Sequence, residues 1–210
     1  MAEVKQMNFN QKLASILSYT NIVEHFAPQV VQRELGEEKL SELRNLWKQS
    51  TQTIPTEAPD NEKYEVAYRN FMYKWVSANN LMRSNKGEEG TAIYMKAAIS
   101  GWKKKYSRSS PMFKIIGALS RKKAFQLLSN RLAYELQAFS PYTITEQKEK
   151  RMILDVSPCK IVKDKNGADF CVMACQNIIP SWLQAQYNLK MFSNRQGENY
   201  KVTFEPFSKN

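Results

Sequence analysis

Three cysteines, Cys159, Cys171 and Cys175, are the residues of this chain best suited to chemistry. A thiolate is both a strong nucleophile and a soft metal ligand. A structural zinc site takes four thiolate or imidazole ligands, usually in close pairs. Cys171 and Cys175 could form such a pair, but the single histidine, His25, is distant in sequence. We therefore predict no metal site. Because free cysteine is among the most buried residue types, two interpretations stay open: three core residues, or a thiol-lined ligand pocket.

Catalysis by these thiols would require a nearby base, which is usually a histidine. His25 is the only one in the chain, and its position beside Phe26 on a predicted helix favours a structural role. The sequence contains neither a G-x-S-x-G nucleophile elbow nor a glycine-rich nucleotide-binding motif. We therefore assign no catalytic residue and leave open whether the protein is an enzyme.

A basic segment, residues 96–131, is the second notable feature. The chain has 31 Lys and Arg against 20 Asp and Glu, and no acidic residue lies between Glu89 and Glu135. Lysines at the end of a helix complement its dipole, whereas basic residues at a helix start create an anion site. The segment contains one cluster of each kind, and their members are Lys103, Lys104 and Lys105 at a predicted helix end, and Arg121, Lys122 and Lys123 at a predicted start.

Two interpretations of this basic segment stay open. Aromatic residues are interleaved with its charges, as in proteins that bind single-stranded nucleic acid or an anionic cofactor. The alternative is a solvated basic face balanced by acidic neighbours or by a partner subunit.

Composition excludes several classes of protein. At 210 residues the chain can form a substantial hydrophobic core. It has no apolar run near the roughly 20 residues of a membrane span, and its start lacks the apolar stretch of a secretory signal. An odd number of cysteines predicts reduced thiols in a cytoplasmic protein.

The hydrophobic pattern predicts helices up to about residue 139, followed by strands. The first helix would be capped by Asn10, another would begin at Glu37, and three more would cover residues 62–83, 91–106 and 122–139. Strands are predicted at 151–156, 170–175, 189–193 and 200–204, with a short helix at 177–186. The fold class is therefore α+β, with a helical N-terminal region packed on a small, mostly antiparallel C-terminal sheet. We predict an N-terminal helical region at 1–50, a linker at 51–61 and a ligand-binding-like α+β domain at 62–210.

The last third of the chain resembles a known family. A strand leads to Cys159, a loop leads to Cys171, and a helix, an Arg195-x-Gly197 motif and an aromatic-ended strand follow. This order resembles the 4-vinyl reductase-like, or hydrocarbon-binding, domains and the related L-2-amino-thiazoline-4-carboxylic acid hydrolases, over about residues 120–207. The resemblance implies an α+β ligand-binding fold that often dimerises and that serves tetrapyrrole handling, small-molecule sensing or hydrolysis. It also implies a pocket or fold-determining role for Cys159, Cys171, Arg195 and Gly197.

Three functional hypotheses follow. The first is a non-catalytic binding, sensing or carrier protein for an apolar ligand with an acid group, such as a tetrapyrrole. Its pocket would lie between the 122–139 helix and the sheet, lined by Phe125, Leu128, Leu132, Cys159, Cys171, Cys175 and Arg195. The second is a basic adaptor that binds nucleic acid or an acidic protein through residues 96–131. The third is a hydrolase of a small cyclic substrate, with Cys171 or Cys159 as nucleophile.

Overall fold

The computed structural model describes residues 4–106, 121–156, 159–163, 170–196 and 199–206. The chain divides into two compact units, one formed by Asn8–Trp102 and the other by Met1–Met7 together with Lys103–Asn210. Helices occupy the N-terminal region and a four-stranded antiparallel sheet lies near the C-terminus. The predicted α+β class is thus confirmed, while the predicted domain boundaries stay predictions.

Three helices account for the first unit: α1 (Phe9–Leu35), α2 (Glu37–Ser50) and most of α3 (Asp60–Tyr106). The cap of α1 is Asn8 and not the predicted Asn10. Its Oδ1 accepts the Gln11 N–H at 2.9 Å, and Gln11 Oε1 accepts the Asn8 N–H at 3.0 Å. This reciprocal pair satisfies two N–H groups that a helix start leaves without partners. Gly36, with φ of 89°, separates α1 from α2.

Helix α3 bends sharply at Gly87, where φ is 61°. The ring centroids of Trp75 and Trp102 are 6.1 Å apart, so the two arms of α3 run back alongside each other. The bend accounts for the two separate helices predicted here. A Cβ added to Gly90 would lie 2.2 Å from the Met82 carbonyl oxygen. The close approach of the arms therefore depends on a residue without a side chain.

Aromatic side chains fill the interior of this unit. Trp75 meets Tyr94 edge-on at 5.8 Å between ring centroids, and Phe26 lies 5.3 Å from Tyr94. Tyr94 is completely buried, and its hydroxyl donates to the Trp75 carbonyl at 3.0 Å. Such pairs add stabilisation beyond the burial of their surface, so this cluster joins α1 to both arms of α3.

The second unit contains a sheet with four strands in the order β1-β2-β4-β3, all antiparallel: β1 (Thr143–Lys148), β2 (Arg151–Val156), β3 (Leu189–Gln196) and β4 (Asn199–Pro206). Besides the end of α3, the helices described in this unit are α4 (Arg121–Leu136), α5 (Lys160–Lys163), a π-helix (Cys171–Ile178) and α6 (Ile179–Tyr187). Strand β1 was not predicted. The strand predicted at 170–175 is wrong, since that segment is helical.

One face of the sheet is buried. On β2 the buried residues are Met152, Leu154 and Val156, which pair across the ladder with Phe204, Val202 and Tyr200 of β4. Cross-strand partners share a face, so these rows form a continuous apolar layer. Helix α4 contacts β4, and α6 and the π-helix contact β3.

The N-terminal segment belongs to this second unit. The Met7 N–H donates to Gln137 Oε1 at 2.7 Å, and Gln137 Nε2 donates to the Lys5 carbonyl at 2.9 Å. Val4, Met7 and Gln137 are all buried. A single amide side chain therefore fixes the start of the chain to the end of α4.

None of the helices in the described ranges is long and apolar enough to cross a membrane.

Substituting Gly90 tests the close approach of the arms of α3. Gly90→Ala should destabilise the protein by about 2 kcal/mol, because the new methyl group clashes with backbone that cannot rotate away. Gly101→Ala is the matched control. The added Cβ would meet only side-chain atoms of Ile22 and Phe26, at 3.2 and 3.3 Å, which can shift. Alanine also has a higher helix propensity than glycine. Urea unfolding measures both variants, and equal stabilities would contradict the packing described for the bend.

Candidate functional site

The three cysteines come together in the second unit. Cys171 begins the π-helix with 3% of its surface exposed, and Cys175 follows four residues later, half-buried. The two side chains form a hydrogen bond, and Cys159 is near enough for its charge to act on Cys175. The π-helix is rare and is frequently found at functional sites. Here it presents two thiols to each other.

Tyr200 connects this thiol cluster to the sheet. Its hydroxyl lies 3.2 Å from Cys171 Sγ. The same oxygen accepts a hydrogen bond from Gln176 Nε2 at 3.3 Å and donates to Ser193 Oγ at 3.3 Å. A hydroxyl hydrogen can rotate, so the phenol O–H can turn from Ser193 to Cys171 when that thiol is ionised.

Arg195 reaches the cluster through strand pairing. It is the β3 partner of Tyr200, and cross-strand partners point to the same face of a sheet. Its residue surface is exposed, yet its charge acts on Cys171. Arg195 is therefore open to solvent and still close enough to the thiol for its charge to favour the thiolate.

These contacts lower the pKa of Cys171 to about 6, from an ordinary value of 9. The hydrogen bond from Cys175 has the largest effect, burial opposes it, and the Tyr200 hydrogen bond and the Arg195 charge lower the pKa further. The pKa of Cys175 is raised, because it donates to the Cys171 thiolate and is desolvated. Cys171 is thus a thiolate near neutral pH, and Cys175 is its neutral hydrogen-bond donor.

Tyr200 stays neutral at the same pH. Burial, followed by its hydrogen bond to Cys171, raises its pKa to about 12. The partners of Cys171 described above are a thiol, a phenol and a guanidinium, none of which accepts a proton readily near pH 7. The arrangement can hold an anionic nucleophile, but these partners do not include a general base.

Sequence reasoning placed the cysteines and Arg195 in one site, and the structure brings them together. It missed Tyr200, Gln176 and Ser193. The predicted strands, 189–193 and 200–204, would have paired Ser193 with Tyr200, whereas the strands extend to Gln196 and Asn199, which pairs Arg195 with Tyr200. Phe125 and Leu128 are buried and Leu132 is half-buried on α4, which contacts β4. Their role in lining a pocket stays a prediction.

The remaining predicted residues lie elsewhere or outside the description. His25 is exposed on α1, in the first unit. Lys103, Lys122 and Lys123 are exposed, whereas the side chains of Lys104, Lys105 and Arg121, and the whole of Gly197, lie outside the described residues. Across the part of the chain that the structure describes, no group of three or more His, Cys, Asp or Glu side chains could hold a metal ion.

No protein-family model matches the chain, and a search of curated proteins finds no match either. Among solved structures, the chain aligns with the Fe(II) unliganded H-NOX protein from K. algicida. The sequence identity is 10% and the TM-score 0.38, covering 91% of this chain and 97% of that one. A point mutant of the same protein aligns with 10% identity and a TM-score of 0.37, covering 90% and 96%.

The resemblance to 4-vinyl reductase-like domains and to the related hydrolases is therefore wrong. No family model supports it, and neither do the H-NOX alignments. The motifs that carried the resemblance are short, and a strand, a cysteine, a loop, a second cysteine and a helix in this order can occur in unrelated α+β chains.

Removing single partners of Cys171 should raise the pKa of its thiol. Tyr200→Phe deletes one hydrogen bond and Arg195→Gln deletes one charge. Each should raise the midpoint of the Cys171 titration by about one pH unit. The midpoint is measured from the pH dependence of alkylation at Cys171, followed by mass spectrometry. Lys201→Gln is the matched control, since it removes a positive charge beside Tyr200 from the opposite face of β4. A shift equal to that of Arg195→Gln would argue against a specific contact.

The lowered pKa also predicts how stability depends on pH. Unfolded Cys171 binds a proton below pH 9 and folded Cys171 only below about 6, so stability should rise from pH 6 to pH 9. Above pH 9 stability should fall, because the raised pKa values of Cys175 and Tyr200 resist ionisation that unfolding permits. Urea unfolding under reducing conditions measures the stability at each pH, and Cys171→Ser should flatten the rise between pH 6 and pH 9. An equal rise in that variant would exclude Cys171 as its source.

Proposed function

We propose that the protein binds and senses a small molecule that carries an acid group and a centre with affinity for thiolate. Cys171 would bind that centre and Arg195 would pair with the acid. The observation that carries this proposal is the contact of Cys171 Sγ with the Tyr200 hydroxyl at 3.2 Å, beside the solvent-exposed Arg195, whose charge favours the ionised thiol.

Binding is better supported than turnover. Hydrolysis through a thioester or a related adduct requires a base that activates water. The partners of Cys171 described above lack a histidine or carboxylate, and both Cys175 and Tyr200 hold their protons more tightly than usual. An adduct formed on Cys171 would therefore persist. Persistence suits a sensor or carrier and disfavours the hydrolase hypothesis.

The surroundings of Cys171 suit a ligand with an apolar part. Val172, the next residue, is apolar and 52% exposed. Phe170, the preceding residue, is buried and stacks on Phe139 at 6.2 Å between ring centroids. An apolar ligand body could cover Val172, while the guanidinium of Arg195 offers a carboxylate two parallel hydrogen bonds.

A tetrapyrrole falls within this ligand class, because it combines an apolar ring with acid groups. Haem iron in proteins is held by His, Cys, Met or Tyr. The exposed position of His25 does not fit a ligand enclosed in the first unit, whereas Cys171 and Tyr200 are of the required types. Were haem the ligand, it would supply iron chemistry, and these two residues and Arg195 would bind it.

Paired alkylating agents test the recognition of the acid group. Iodoacetate carries a carboxylate and iodoacetamide is its neutral analogue, so the ratio of their rates at Cys171 isolates the effect of charge from that of the thiol pKa. Arg195→Gln should lower the iodoacetate-to-iodoacetamide ratio about tenfold, the usual worth of one charged hydrogen bond. Lys201→Gln should leave the ratio unchanged. A wild-type ratio equal to that of a free thiol such as glutathione would exclude an acid-binding role for Arg195.

Ligand capture tests the wider proposal. Protein purified without reductant should carry a bound molecule or a mass increment on the peptide containing Cys171, and the Cys171→Ser variant should lose it. A haem titration, followed by absorbance, serves as the second arm. If neither treatment distinguishes wild type from Cys171→Ser, the thiolate does not bind ligand.

A further inference from the structure

A basic depression lies at a second place in the same unit, between α4 and the hairpin of β1 and β2. Its volume is about 520 Å³, within the range of small-molecule sites, and it is lined by Lys122, Gln126, Gln147, Lys148, Glu149 and Lys150. Of its three lysines, only Lys122 belongs to the basic segment noted in the sequence. Lys148 and Lys150 follow Glu146 in the hairpin, so the sequence pattern did not connect them with Lys122.

The two walls of this basic depression are held together by side-chain contacts. Lys122 forms an ion pair with Glu149, which joins the first turn of α4 to the hairpin. Gln147 Nε2 donates to Asn130 Oδ1 at 2.9 Å, two turns further along α4. These two contacts join the walls, so the fold sets where the backbone carries each of the three lysines.

The charges in the depression favour an anion. Three lysines and one glutamate line it, Lys148 also pairs with Glu146 at 3.5 Å, and Lys122 lies in the first turn of the 16-residue helix α4. A lysine at this end of a helix opposes the dipole, and an anion placed there is favoured by both the dipole and the ammonium group. Glu149 supplies such an anion within the chain, but its side chain is 64% exposed. An exposed ion pair contributes little to stability, so Glu149 can be displaced at small cost.

We propose that this basic depression binds a small phosphorylated molecule, whose phosphate replaces Glu149 on Lys122. Lys148 and Lys150 complete the neutralisation of a dianion, and the two glutamine side chains offer polar groups to the rest of the ligand. Lysine is a common phosphate-binding residue. None of the described residues that line the depression is aromatic, whereas binding of single-stranded nucleic acid relies on stacking between bases and aromatic side chains. A small phosphorylated ligand is therefore favoured over a nucleic acid.

Calorimetric titration of the full chain with pyrophosphate tests the proposal. Lys122→Gln, Lys148→Gln and Lys150→Gln should each weaken binding about tenfold, the effect expected from one charged hydrogen bond. Glu149→Gln should tighten binding several-fold, because the competing carboxylate is removed. Lys123→Gln is the matched control. It removes the same charge from the next residue of α4, which does not line the depression, and should change affinity less than twofold. Affinity should fall with added salt in every variant that binds.

A second titration with a labelled oligothymidylate separates this ligand class from nucleic acid. Pyrophosphate binding that depends on the three lining lysines, and that the oligonucleotide does not exceed in affinity, supports the proposal. Absence of pyrophosphate binding would overturn it. So would a loss of pyrophosphate affinity in Lys123→Gln as large as that in Lys122→Gln. Oligonucleotide binding that is lost in Lys122→Gln but is not displaced by pyrophosphate would also overturn it, in favour of a nucleic-acid surface.

Discussion

The register of β4 between its two neighbours is the constraint on which the thiol cluster depends. It places Tyr200 opposite Val156 on one side and Arg195 on the other, all on the buried face of the sheet. Side chains alternate along a strand, so a shift of one residue would bring Lys201 to this face and turn Tyr200 away. The same register aligns Met152 with Phe204 and Leu154 with Val202. The apolar layer that stabilises the sheet thus also determines which groups surround Cys171.

Much of the fold could be predicted from the sequence because its pattern is local. The strand propensity of residues 151–156 marks β2, and the helical spacing of Phe125, Leu128 and Leu132 marks α4. The segment at 170–175 was mistaken for a strand, because a short apolar run without periodicity fits a buried helix equally well. Strand β1 was missed for the opposite reason. It is an edge strand made mostly of polar residues, and such strands lack a strong apolar alternation.

The site was less accessible to sequence reasoning, since its properties arise from contacts between distant segments. The type and number of the cysteines could be seen, but their hydrogen bonding depends on the π-helix, and their pKa values depend on Tyr200 and Arg195. Arg195 was selected through a family resemblance that is wrong, yet the residue does lie at the thiols. Strand pairing across the turn gives the correct reason for selecting it. The basic depression combines a helix start with a hairpin, and neither segment indicates it alone.

Gln137 has a consequence for the order in which the chain folds. Its amide bonds residues near the start of the chain, with 130 and 132 residues separating the bonded partners. Closing so long a loop carries an entropic cost that contacts of such separation must offset, and non-local contacts of this kind form late. The first unit has the shorter path to its native contacts and is complete at residue 102. During synthesis that unit can fold while its flanking segments are still apart. The unit that holds Cys171 needs residues up to Tyr200, so the thiol gains the contacts that lower its pKa only after the first unit has been synthesised.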